Sequence, residues 1–137
     1  MQIAGRSSDE LVAFVRGRIP SLRSIHVHGS WASGHATSQS DVDLSVLADS
    51  PVNPLALFEL AGDLTAFLGA NVDLVDLRAA PTLLKFKIVT EGVRLWARDW
   101  RAEDYELLAI REKHDWDIKL REQRRDILKT GQVLARS

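Results

Sequence analysis

Asp41 and Asp43 stand two residues apart in Asp41-Val42-Asp43-Leu44-Ser45-Val46-Leu47, a run in which apolar residues alternate with polar ones. In an extended chain, residues i and i+2 point to the same side, about 7 Å apart. The two carboxylates therefore converge on one face, while Val42, Leu44 and Val46 form the other, apolar face. Like charges that close repel unless solvent or a cation separates them. Mg²⁺ suits the pair, because it takes hard oxygen ligands, commonly one or two carboxylates completed by substrate phosphates.

Upstream, Gly29-Ser30 follows the alternating run Ser24-Ile25-His26-Val27-His28. Gly29 lets the backbone turn sharply where a strand hands over to a helical turn. Ser30 and the amides after it then head a turn whose free N–H groups favour an anion, typically phosphate. A phosphate cradle beside a metal platform is the equipment of phosphoryl or nucleotidyl transfer, where positioning and charge neutralisation account for most of the catalysis. A third acid would complete a two-metal site. In Asn71-Val72-Asp73-Leu74-Val75-Asp76-Leu77 the two aspartates have opposite parity, so a regular strand presents only one of them. Val72 and Leu74 take the core side, which leaves Asp73 facing the way of Asp41 and Asp43. Asp76, at the strand end, reads as a turn or cap residue.

The elements that must position these residues follow from periodicity. A helix is expected from a cap at Ser8 or Asp9, with Leu11, Phe14 and Val15 on one face, stopped by Pro20. Strands are expected over 24–28, 41–47 and 71–77, and an amphipathic helix over Leu55–Leu68 closed by Gly69. The segment 81–90 fits a strand through Leu84, Phe86 and Ile88, but Pro81 and Gly92 as its bounds fit a helix better. Gly92–Trp96 then makes a short edge strand, and Glu103 to about Thr130 a long charged helix. Within that helix Asp115-Trp116-Asp117 diverges by about 200° and is no second metal pair. His26 and His28 share a strand face and read as packed or hydrogen-bonded rings, His28 being near enough to Gly29 to line a pocket. Trp31 reads as a cover for the apolar sheet.

The 137 residues fit one domain, with a core over about 8–100 and a C-terminal helical extension over about 101–137. The implied class is α/β (α+β): a small mixed sheet with helices packed on one face. There is no cysteine, which excludes disulfides and thiol chemistry, and the formal net charge of −1 gives no global pull toward nucleic acid or membrane. No apolar run approaches the ~20 residues that cross a bilayer, and Met1–Phe14 lacks the pattern of a secretory signal, so the cytoplasm is the expected location.

Gly29-Ser30, ten residues, then Asp41-Val42-Asp43 resembles the signature of the DNA polymerase β-like nucleotidyltransferase superfamily. The small size is similar to its minimal nucleotidyltransferase branch, the MntA-like antitoxins. The likeness extends over the VDLVDL strand and Pro81–Asp99, which ends in EGVRLWARD, or roughly residues 8–100. The resemblance implies a polymerase β-like fold in which Ser30 with Gly29 binds the β- and γ-phosphates of ATP. It implies that Asp41 and Asp43 hold two Mg²⁺ ions, and that Asp73 completes the second metal site and helps activate the acceptor hydroxyl. In-line attack on the α-phosphate would release pyrophosphate. The implied partner is a HEPN-domain RNase toxin of the HepT type, which receives AMP on a tyrosine, with Trp116 and Leu120 available to face it. One departure stands out. Many relatives read G-S-x-A-R-G, whereas Ser33 occupies the place of that Arg here. A missing donor of this kind lowers nucleotide affinity or transition-state stabilisation by roughly 10–10³-fold. Two other readings stay open: nucleotidyl transfer to a small molecule, and a weakly catalytic antitoxin that neutralises its toxin by forming a complex.

Overall fold

A computed structural model of the chain describes residues 1–130; the expected extension over 131–137 lies outside the described residues. In chain order the elements are β1 (Gln2–Ile3), β2 (Arg6–Ser7), α1 (Ser8–Arg18), β3 (Leu22–His28) and the single turn α2 (Ser30–Ser33). They continue with β4 (Val42–Ala48), α3 (Pro54–Leu68), β5 (Val72–Asp76), α4 (Thr82–Glu91), β6 (Val93–Ala97) and α5 (Arg101–Thr130). Strands β5-β4-β3-β6 form one mixed sheet. The β4/β5 pair is parallel and the other two pairs are antiparallel.

Alternation along the strands supplies the main core. Ile25 and Val27, Val42, Leu44 and Val46, and Val72 and Leu74 point to one face, where they meet Leu11, Val12 and Val15 of α1 and Leu60, Leu64 and Leu68 of α3. Local signals set the helix ends. Ser7, one residue before the expected cap, accepts the Glu10 N–H at 3.2 Å and donates its hydroxyl to the Glu10 carboxylate at 3.2 Å. The Glu10 carboxylate also accepts from the Ser7 backbone N–H, which completes a capping box, so Ser8 and Asp9 lie inside the helix. Asn53 caps α3 through the amides of Leu55 and Ala56, and Gly69 ends it at φ +70°.

The expectation of helices on one face holds for α1 and α3 but needs correcting for the other face. There Leu47, Leu77 and Ile88 form a second buried cluster with Val75, Leu84, Val89 and Tyr105. Leu47 shares strand parity with Asp43, so that face turns apolar toward the end of β4 and draws α4 and the first part of α5 onto it. Packing against Leu47 and Leu77 also decides that the ambiguous segment is the helix α4 rather than a strand. Beyond this contact, residues of α5 from His114 on are mostly exposed. No helix among the described residues is long and apolar enough to cross a membrane.

His26 fastens α5 to the sheet. Its ring is 2% exposed, and Nε2–H donates to Glu106 Oε1 at 2.7 Å, while Arg94 reaches the same oxygen at 3.2 Å. Burial holds the ring below the ordinary 6.5, against the opposing pull of Glu106. The folded chain thus binds fewer protons here than the unfolded one, so this contribution is intact above pH 6.5 and is lost as pH falls toward the depressed value. Thermal denaturation between about pH 8 and 5 should therefore show Tm falling on the acid side. His26→Gln, which keeps a donor for Glu106, should make that fall shallower; an unchanged slope would show that the ring is not held neutral.

Candidate active site

Two registers align the site. Across the antiparallel β3/β4 pair His28 stands opposite Asp43, and across the parallel β4/β5 pair Asp43 stands beside Asp73. Paired residues share a face, so His28, Asp43 and Asp73 form a row over three neighbouring strands, opposite the main core. Asp41 precedes β4 by one residue and is exposed at the rim. Asp76 falls on the other parity, as expected of a cap: it is buried and accepts from the amides of Val52 at 2.9 Å and Arg78 at 3.1 Å.

The row is electrostatically tense. Burial raises the Asp43 carboxyl above its ordinary range, and repulsion from Asp73 and Asp41 adds to the rise, with His28 pulling the other way. Among the described residues, no Lys or Arg forms an ion pair with any of the three aspartates. Hard oxygen donors that repel one another and lack a protein counter-charge fit a divalent cation. Also among the described residues, no three acidic or histidine side chains are drawn into a ready-made metal cage.

His28 backs the row. Its ring bonds to the Leu44 backbone, and Nε2 is buried with no partner among the described residues. Burial holds it below its ordinary pKa, with Asp43 opposing. Its place beside Gly29 in a cleft wall is the one its position in the sequence suggests.

Gly29 joins the row to the turn. Its φ of +66° with ψ of −147° belongs to backbone that side chains rarely adopt, and a Cβ there would run into the Asp43 carboxylate. The amides of Ala32 and Ser33 bond back to the Gly29 carbonyl at 3.1 Å, which leaves those of Ser30 and Trp31 at the head of the turn. Trp31 packs partly buried against the main core, as expected, and does not line the cleft. That cleft, about 330 Å³, has His28, Gly29 and Ser33 on one wall and Lys87, Ile88 and Glu91 of α4 on the other. Sequence reasoning missed Lys87 and Glu91, because a segment undecided between strand and helix has no defined face. Asp73 borders a separate groove of about 440 Å³ between α3 and the exposed edge of β5. Asp117 is paired with Lys113 at 2.6 Å, so the DxD of α5 stays out of the site.

A mixed sheet with an aspartate row at one strand end and a Gly-Ser turn beside it is the frame of a nucleotidyltransferase. Residues 11–101 match the family model "Polymerase beta, Nucleotidyltransferase", and the chain belongs to that family. It is 37% identical over 105 residues to the protein adenylyltransferase MntA of Shewanella oneidensis, covering 77% of this chain and 73% of that protein. A solved toxin–antitoxin structure with AMP-PNP superposes with a TM-score of 0.81 at 31% identity, covering 90% of this chain and 99% of that one. The tri-AMPylated Shewanella oneidensis HEPN toxin in complex with MNT antitoxin gives a TM-score of 0.68 at 31% identity, over 91% and 96% of the two chains.

The raised Asp43 carboxyl makes a stability prediction. A group whose pKa is higher in the fold favours the folded state when protonated and disfavours it as pH rises through that value. In metal-free buffer at neutral pH, Asp43→Asn should therefore raise Tm by a few °C, the scale of a change up to about 1 kcal/mol in a chain of this size. The gain over wild type should shrink toward acid pH, where the wild-type carboxyl is protonated too. Equal Tm values at neutral pH would show that the row carries no net repulsion.

Proposed function

We propose that this chain is a Mg²⁺-dependent protein adenylyltransferase that moves AMP from ATP to a hydroxyl of a HEPN-type toxin and so acts as its antitoxin. The observation that carries this reading is the in-register pairing of Asp43 with Asp73 beside the Gly29 turn. Similarity to a named adenylyltransferase and to complexes with an AMPylated HEPN toxin supports the choice of AMP as cargo and a protein as acceptor.

In this reading Asp41, Asp43 and Asp73 hold Mg²⁺, and the Gly29–Ser30 turn receives the β- and γ-phosphates of ATP. The metal, when bound, would offset charge building on the phosphate oxygens and on the departing pyrophosphate. The hydroxyl oxygen attacks the α-phosphorus in line, the bond from that phosphorus to the β-bridging oxygen breaks, and pyrophosphate leaves. Asp73, exposed beside its open groove, accepts the hydroxyl proton. Gly29 keeps the turn close against Asp43, so phosphates and carboxylates are positioned by one local geometry. The acceptor is brought by the toxin's own surface, and the exposed Trp116 and Leu120 of α5 offer apolar ground for it. We expect the reaction to run in the cytoplasm.

A second reading has its own observation: Ser33 leaves the phosphate turn without a cation, as a binding-only antitoxin would tolerate. One experiment separates the two. The chain is incubated with α-labelled ATP, Mg²⁺ and the HEPN protein encoded beside it. Label should appear on the toxin, vanish with EDTA, and fall by at least about 10²–10³-fold for Asp43→Asn. Toxin held inactive in a stable complex without label would favour the binding-only reading.

A further inference from the structure

We infer that Lys87 is a nucleotide-binding residue: from α4 it grips the ATP triphosphate across the cleft from the Gly29–Ser33 turn. The inference rests on the adenylyltransferase reading for its ligand, and on the following geometry for its residue.

Lys87 lines the cleft whose opposite wall is Gly29 and Ser33. It has no ion pair or hydrogen bond among the described residues, whereas the cations around it are engaged. Lys85 lies 4.0 Å from Glu112 and over the Tyr105 ring, Arg94 holds Glu106 at 3.2 Å, and Lys113 holds Asp117 at 2.6 Å. Glu91 sits one helical turn on, in the same cleft, yet the two form no ion pair. The end of α4 is held against this wall by a close approach. A Cβ on Gly92 would meet the Ile88 carbonyl, the Val27 carbonyl at 2.9 Å and the His28 Cβ at 3.4 Å. Only glycine lets the helix end come so near β3, and Lys87 lies little more than one turn before it.

Chemistry completes the argument. Three carboxylates beside the turn make the neighbourhood negative, and a triphosphate entering it needs positive charge beyond the metal. No arginine or lysine stands on the turn itself. A lysine ammonium is a compact point charge on a flexible stem, well suited to a phosphate whose oxygens have no fixed fork geometry. The cleft, about 330 Å³, is at the lower end of the roughly 300–1,000 Å³ of ligand pockets, a size for a polyphosphate tail rather than a whole nucleotide.

The test measures binding of AMP-PNP with Mg²⁺ by calorimetry, and KM for ATP in the labelling assay, on the full chain. Lys87→Met should weaken AMP-PNP binding and raise KM for ATP by about 10–100-fold, the value of one charge-assisted contact, and leave KM for the toxin unchanged. Ser33→Arg, which restores a cation from the facing wall, should recover most of that loss in the Lys87→Met background. Glu91→Gln should not weaken binding; if it does so as much as Lys87→Met, packing and not charge is at work and the inference falls. It falls equally if Lys87→Met leaves AMP-PNP affinity intact or shifts only the KM for the toxin. Wild-type chain that binds AMP-PNP through Lys87 but labels no toxin would overturn the acceptor assignment and leave Lys87 standing. Wild-type chain that binds no AMP-PNP would overturn both.

Discussion

Register between β4 and β5 is the constraint from which the site follows. A slip of one residue would send Asp43 and Asp73 to opposite faces and empty the row. Mutual repulsion of the aspartates favours such a slip, at about 1–4 kcal/mol for unit charges some 4 Å apart near a protein surface. What opposes it is the other face of the same strands. A slip of β5 against β4 would take Val72 and Leu74 out of the core, each at about 1.5–3 kcal/mol. Burial on one side thus outweighs repulsion on the other, and the acids stay aligned with no cation among the described residues paired to them.

The second face of the sheet is divided rather than uniform. Along β4 the residues on that side are Asp43, Ser45 and Leu47, a passage from charged to apolar within three positions. Helix α4 and the start of α5 cover the Leu47 end, and the Asp43 end stays open. A fully covered face would bury the carboxylates, and a fully bare one would leave Leu47 in water. The site therefore sits where the covering stops, and α4, ending there, contributes a wall to the cleft.

Much of this was legible from periodicity alone. Parity separated Asp73 from Asp76, because a strand offers only two sides and Val72 and Leu74 had claimed one. The amphipathic stripe and Gly69 marked α3 to within a residue. The segment 81–90 was harder, since Leu84, Phe86 and Ile88 satisfy a strand as well as they satisfy part of a helix. Its conformation depends on Leu47 and Leu77, residues distant in sequence, and so did the faces of Lys87 and Glu91. The β1/β2 pair escaped notice for a different reason: strands of two residues carry no period, and Ala4 at φ +52° between them follows no composition rule. The helix cap was misplaced by one position because three hydroxyl or acid side chains follow one another at Ser7-Ser8-Asp9. Only the reach of Glu10 back to Ser7 chooses among them.

The three aspartates are not equivalent, and the inequality bears on how such a site could work. Asp43 is the middle member of the row, flanked by His28 and Asp73, partly desolvated, and pressed against Gly29. It has little room to move, so its position is set by the sheet. Asp41 and Asp73 are exposed on either side, one at the mouth of β4 and one on an edge strand. A fixed central carboxylate with two adjustable neighbours can hold one ligand position constant as phosphate geometry changes during transfer. The neighbour on the edge strand also faces open space, which a hydroxyl on another protein can enter without displacing any element of the fold. A buried third acid would demand a small acceptor that diffuses inward. An exposed one accepts a side chain presented on a protein surface, the acceptor that the proposed reaction requires.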